Sequence, residues 1–174
     1  MPADVRASEA TALARAVTGV VGTTPRTVCG YVPVGTEPGS LDLLDVLVLA
    51  GHRVLLPVVT GRAPLDWAEY QGVASLVPGP HRLREPGGDR LGVRAIGLAG
   101  VVLVPALAVD RGGVRLGRGA GHYDRSLPLA GPNTALVAVV RDQELVPRLP
   151  AEPHDVRMTA ALTPGNGLIA LPAT

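Results

Sequence analysis

Four short apolar runs, each stopped by proline, glycine or charge, restrict the fold of this chain more than anything else in it. Thr27 to Pro33, Arg53 to Val59, Val101 to Pro105 and Leu136 to Arg141 are rich in valine and leucine and too short for core helices. Runs that are apolar at consecutive positions suit strands buried on both faces, the situation of a parallel sheet. Helical segments lie between them. Residues 4–21 place Leu13, Val17 and Val20 on one face among alanines, and Ser40 is a fitting N-cap for a helix reaching Ala50 and closed by Gly51. Leu65 to Tyr70 alternates like a half-buried strand. Gln71 to Asp89 reads as a Pro/Gly-rich loop, Arg90 to Leu98 as helical, Asp142 to Val146 as one helical turn, and Val156 to Leu162 as a last strand. The pattern predicts an α/β fold: one three-layer α/β/α domain over residues 1–174 with a largely parallel central sheet.

Composition narrows the function classes. All 16 basic residues are arginine, so Schiff-base chemistry and a lysine phosphate clamp are absent. The formal net charge of +1, with arginines scattered and aromatics at 2%, speaks against a nucleic-acid partner. No run reaches the roughly eighteen apolar residues a membrane span needs, and no basic stretch precedes an apolar signal region. The expectation is a soluble, cytoplasmic monomer acting on a small molecule. The single cysteine, Cys29, sits in an apolar run and is expected in the core.

Chemistry concentrates after Val101 to Val104. The chain passes through Pro105 to Asp110 and then reads RGGVRLGRGAGHYDR from Arg111 to Arg125. Gly117, Gly119 and Gly121 recur at every second position, which is neither a Walker A sequence nor G-x-G-x-x-G. Spacing alone leaves a structural turn and a ligand loop equally open. The side chains tip the balance: Arg115 and Arg118 offer guanidinium forks for phosphate oxygens, and Asp124, in what reads as a helix starting at His122, offers a hard oxygen for magnesium. Arginines, exposed amides and a carboxylate together suggest a metal-bound polyphosphate.

The string RLGRGAGHYDRSL resembles the signature of the 5-formyltetrahydrofolate cyclo-ligase (5,10-methenyltetrahydrofolate synthetase) family, R-L-G-x-G-x-G-aromatic-Tyr-Asp. Tyr31 to Ser40 (YVPVGTEPGS) resembles its Y-x-P-x-x-x-E segment. Arg53 to Val58, Leu65 to Tyr70, Glu85-Pro86, Val104-Pro105 and Leu149 to Asp155 follow in the family order, covering about residues 28–164. The resemblance implies ATP- and magnesium-dependent closure of 5-formyltetrahydrofolate, polyglutamylated or not, to 5,10-methenyltetrahydrofolate through phosphorylation of the formyl oxygen. It implies that Arg115 and Arg118 act on the triphosphate, with Gly117, Gly119, Ala120, Gly121 and Asp124 binding ATP. Asp124 and Asp155 would be the metal ligands. Val32, Glu37, Arg118, Gly119, Ala120, Gly121, His122 and Tyr123 would bind the folate.

Duller readings stand beside these. Asp124 suits the first turn of any helix, His154 and Asp155 a solvated loop, and Glu37 and Glu85, each before proline, ordinary loop carboxylates. Trp67 reads as packed on the sheet and Tyr70 as a rim residue. The chain also departs from the family pattern: Ala120 stands where a lysine is frequent, His122 where an aromatic ring is usual, and the N-terminal helix that carries a Lys and an Arg toward ATP is expected to be truncated, with only Arg6 and Arg15 in it. The alternative is a non-catalytic or impaired folate- or nucleotide-binding paralogue.

Overall fold

In the computed structural model, residues 1–172 are described. Helix α1, Ala3–Val21, buries the stripe Leu13, Ala14, Val17 and Val21 and ends at Gly22, whose φ of 72° only glycine adopts cheaply. Strand β1, Thr27–Cys29, is shorter than the apolar run that announces it. Helix α2, Leu41–Leu49, starts after Ser40 as expected, yet the Ser40 hydroxyl makes no cap bond and is buried with no partner among the described residues. Strands β2, Arg53–Val58, and β3, Asp66–Glu69, then pair antiparallel.

The segment expected to be an unstructured loop, residues 71–89, instead holds a hairpin of β4, Leu76–Pro78, and β5, Arg84–Pro86. A proline in each strand hides the period-two signal, and pairing between the two strands supplies what propensity withholds. Val93–Leu98 is a 3-10 helix rather than an α-helix. Strand β6, Val101–Pro105, runs as predicted, but the chain does not pass directly into the glycine segment: β7, Ala108–Asp110, and β8, Arg115–Leu116, form a small hairpin first. The five-residue helix α3, His122–Ser126, precedes β9, Ala135–Val139. The expected turn at 142–146 is a 3-10 turn, Asp142–Glu144, followed by β10, Leu145–Val146. The last predicted strand, residues 156–162, becomes β11, Ala160–Thr163, and an unpredicted antiparallel strand, β12, Gly167–Ala170, follows across a Pro-Gly-Asn-Gly turn.

The main sheet has the order β12-β11-β9-β6-β1-β2-β3. Its five inner strands are parallel, and each edge strand is antiparallel. Side chains alternate across it: Val101 and Leu103 pack with α1 and α2, while Val102 and Val104 pack on the other side with Ile96, Leu127 and Met158. The second face is thus covered by 3-10 turns, α3 and the three-stranded sheet β10-β7-β8 instead of long helices. Trp67 is fully buried on the sheet, and Cys29 lies in the core, where burial pushes its thiol up to about 12. Tyr70 is not on the rim: it is 1% exposed and donates to Asp45 Oδ1 at 2.7 Å. Its alternating segment belongs to an edge strand covered on both faces, and the phenol can be buried because Asp45 receives its proton. No helix among the described residues is long and apolar enough to cross a membrane.

Candidate active site

In parallel sheets the crevice opens beyond the carboxyl ends of the strands. Here a cavity of about 240 Å³ lies there. The segment after β1 contributes Val32 and Glu37, the end of β2 Pro57 and Val59, the end of β6 Pro105 and Ala106, the β4–β5 hairpin Arg84 and Glu85, and the glycine segment Arg115 and Gly117 to Asp124. Thus Val32, Glu37, Arg115, Gly117, Arg118, Gly119, Ala120, Gly121, His122, Tyr123 and Asp124 line one cavity. Asp155 does not. Its Oδ2 accepts the Glu152 N–H at 2.7 Å in a turn of its own.

The alternate glycines have separate reasons. A Cβ on Gly117 would lie 2.8 Å from the Arg115 guanidinium, whereas Gly119 and Gly121 have φ of 92° and 76°. Arg125 then clasps the loop, donating to the Ala120 carbonyl at 3.1 Å and to His122 Nδ1 at 3.3 Å. Because arginine can only donate, Nδ1 accepts, and the neutral ring carries its proton on Nε2. Burial first, and then the charge of Arg125, holds the His122 pKa below the ordinary imidazole value.

The two arginines of the loop differ. The Arg115 side chain is 7% exposed and committed: it donates to the Pro105 carbonyl at 3.2 Å and to Asp124 Oδ1 at 2.9 Å, and its guanidinium lies 5.7 Å from the centre of the Tyr123 ring. Arg118 is half exposed, with Nε 3.4 Å from Glu37 Oε1. Glu37 is fixed by its own loop. Its Oε2 accepts the Val34 N–H at 2.8 Å, and Tyr31 closes the same loop by donating to the Pro38 carbonyl. The Tyr123 hydroxyl is buried beside the cavity and has no hydrogen-bond partner among the described residues.

Among the described residues no three His, Cys, Asp or Glu side chains converge as a metal cage. Magnesium does not need one, because it commonly takes one or two carboxylates, keeps waters, and completes its shell with substrate phosphate oxygens. Asp124, with its side chain 62% exposed beside the glycine loop, fits that pattern. The loop fits a polyphosphate through backbone amides and arginine rather than a helix dipole, since α3 is barely more than one turn long.

Glu85, which its proline neighbour makes resemble an ordinary loop carboxylate, is instead 6% exposed in the cavity wall, with Oε1 accepting the Val59 N–H at 3.1 Å. Its place among the ordered segments, as Glu85-Pro86, was the available signal.

Comparison with known proteins points to one enzyme family. A sequence model of the 5-formyltetrahydrofolate cyclo-ligase family matches residues 1–164. The chain is 52% identical over 176 residues to the 5-formyltetrahydrofolate cyclo-ligase of Mycolicibacterium smegmatis, covering 98% of this chain and 90% of that one. It is 32% identical over 143 residues to the enzyme of the same name from Escherichia coli K12, with 80% and 79% covered. In fold it resembles the NMR structure of Aquifex aeolicus 5,10-methenyltetrahydrofolate synthetase, with a TM-score of 0.82 at 24% identity over 100% of this chain and 87% of that one. A second neighbour is the 5,10-methenyltetrahydrofolate synthetase of Mycoplasma pneumoniae, with a TM-score of 0.72 at 15% identity over 92% and 88% of the two chains.

Proposed function

Because this chain belongs to the 5-formyltetrahydrofolate cyclo-ligase family and is an enzyme of the ligase type, we propose that it closes 5-formyltetrahydrofolate to 5,10-methenyltetrahydrofolate at the expense of ATP. The observation that carries this is a single cavity in which the glycine loop with Arg118 adjoins Glu37 and the apolar walls Val32, Val59 and Ala106. An anion cradle and a site for a flat, donor-bearing ring therefore share one wall.

The chemical difficulty is that a formamide oxygen is a poor leaving group. ATP, consumed as a substrate, supplies a γ-phosphoryl group to that oxygen. The folate N10 then attacks the formyl carbon, the C–O bond breaks, and the oxygen departs with phosphate as the five-membered ring closes and N10 loses its proton. The protein supplies alignment and charge, the chief levers in phosphoryl transfer. In this reading Arg118 leaves Glu37 for the transferring group, while Arg115 stays as the buried strut that holds Asp124. The amides of Gly117 to Gly121 receive phosphate oxygens, and Ala120 lends only its backbone. Glu37 and Val32 receive the pterin, with His122 and Tyr123 against the folate.

Magnesium, when bound, neutralises phosphate charge, and Asp124 would hold it. Asp155, which lies outside the cavity lining, would join as the second carboxylate through Oδ1, while Oδ2 keeps the Glu152 N–H. We propose further that the protein acts in the cytoplasm and as a monomer.

The direct experiment mixes the protein with 5-formyltetrahydrofolate, ATP and magnesium and follows the methenyl chromophore. The reading expects formation that requires both ATP and magnesium. Folate binding without turnover would make the chain a binder instead.

A further inference from the structure

Glu85 has no place in the reaction as described, yet it is buried in the wall of the same cavity. A carboxylate taken from water requires compensation by cations or several N–H donors. Among the described residues it forms no ion pair, and its one hydrogen bond is the Val59 N–H to Oε1. Among the described residues Oε2 has no hydrogen-bond partner, and Glu85 lines the cavity.

The surrounding backbone is shaped to keep the group there. Glu85 pairs with Val77 across the β4–β5 hairpin, and the turn carries Gly79, where a Cβ would sit 2.6 Å from the Glu85 carboxyl carbon. The same turn holds His81 and Arg82 at φ of 55° and 62°, a conformation non-glycine residues rarely adopt. The missing Cβ at Gly79 leaves room for this under-satisfied carboxylate in the cavity wall. Buried polar groups in native proteins have partners, so the missing donor is expected from whatever fills that cavity.

We propose that Glu85 is a second substrate-binding carboxylate, one that accepts an N–H donor of the reduced pterin from the wall away from the glycine loop. This rests on the folate reading of the cavity. Glu37 and Glu85 stand on different elements, the loop after β1 and the hairpin strand β5, so together they would read two separate N–H positions of the ring and fix its orientation. An oxidised or differently protonated ring that lacks one donor would leave a carboxylate unpaired, which is how such sites discriminate.

The test uses Glu85→Gln in the full chain, which keeps the size of the side chain and an oxygen for Val59 but removes the charge and presents an amide donor. Affinity for 5-formyltetrahydrofolate is measured by equilibrium titration, alongside ATP affinity, KM, kcat and thermal stability. Folate affinity is expected to fall about tenfold or more, the loss of one hydrogen bond to a charged group, with KM for folate rising, ATP affinity unchanged and the melting temperature held. Wild-type folate affinity in Glu85→Gln overturns the role of Glu85, whether or not turnover is found. Weakened folate binding in the variant of a wild-type protein that binds but does not turn over upholds Glu85 and rejects the catalytic reading. If the wild-type protein does not bind folate at all, both fall.

Discussion

Arg118 Nε lies 3.4 Å from Glu37 Oε1, so a residue of the proposed phosphate side and a residue of the proposed pterin side neutralise each other in the free protein. Arg118 is half exposed, which keeps the pair weak and its exchange for a phosphate inexpensive. Arg118→Ala is expected to lower kcat about a hundredfold, in the range found when one donor to a developing charge is removed, with a smaller change in ATP affinity. Steady-state kinetics decide it. A change confined to nucleotide affinity would make Arg118 a positioning residue.

Asp124→Ala should abolish magnesium-dependent ATP use and leave the fold intact, because its carboxylate is largely exposed and, among the described residues, is paired with Arg115 alone. Asp155→Ala should raise the magnesium concentration needed for half-maximal rate without abolishing activity. A titration of rate against magnesium tests both. Wild-type magnesium dependence in either variant removes that residue from the ligand set.

His122 should titrate below the ordinary imidazole pKa of 6.5, since protonation would set an imidazolium against the Arg125 guanidinium in a partly buried place. The folded pKa is depressed, so the contribution to stability is present above 6.5 and is lost as pH falls through the folded value. NMR titration of the ring, with His122→Asn as the control, checks the sign. A midpoint at or above 6.5 contradicts the contact with Arg125.

Asp110 holds the small hairpin that delivers the glycine loop. Burial alone would raise its pKa, but the N–H groups of Leu149, Val114 and Gly112 and the charge of Arg157 hold it below the usual carboxylate range. Asp110→Ala is expected to cost about 2–4 kcal/mol, read from the urea midpoint. A loss under about 0.5 kcal/mol, the scale of an ordinary surface change, would mean these bonds are replaced by water.

What could be read from the chain follows from range. The parallel strands at Arg53, Val101 and Leu136 were legible because apolar runs declare burial on both faces, and the glycine-arginine loop because its residues are contiguous. The β4–β5 hairpin and β12 were not, since short strands carrying proline or glycine are made by pairing partners that local propensity does not show. Tyr70 was misread for a related reason: an alternating pattern cannot say that Asp45 waits across the packing to receive the hydroxyl. The site residues around Gly117 to Asp124 were named from a motif, whereas Glu85 was judged by its proline neighbour. Its burial depends on Val59 and Gly79, which only the folded chain brings to it.

The most direct test of the account follows the formyl oxygen itself. With 5-formyltetrahydrofolate carrying oxygen-18 in the formyl group, ATP and magnesium, a single turnover should place the heavy oxygen in the inorganic phosphate product while the methenyl chromophore appears. Unlabelled phosphate, with the heavy oxygen recovered in water, would contradict phosphorylation of the formyl oxygen and with it the role assigned to the loop from Arg115 to Asp124.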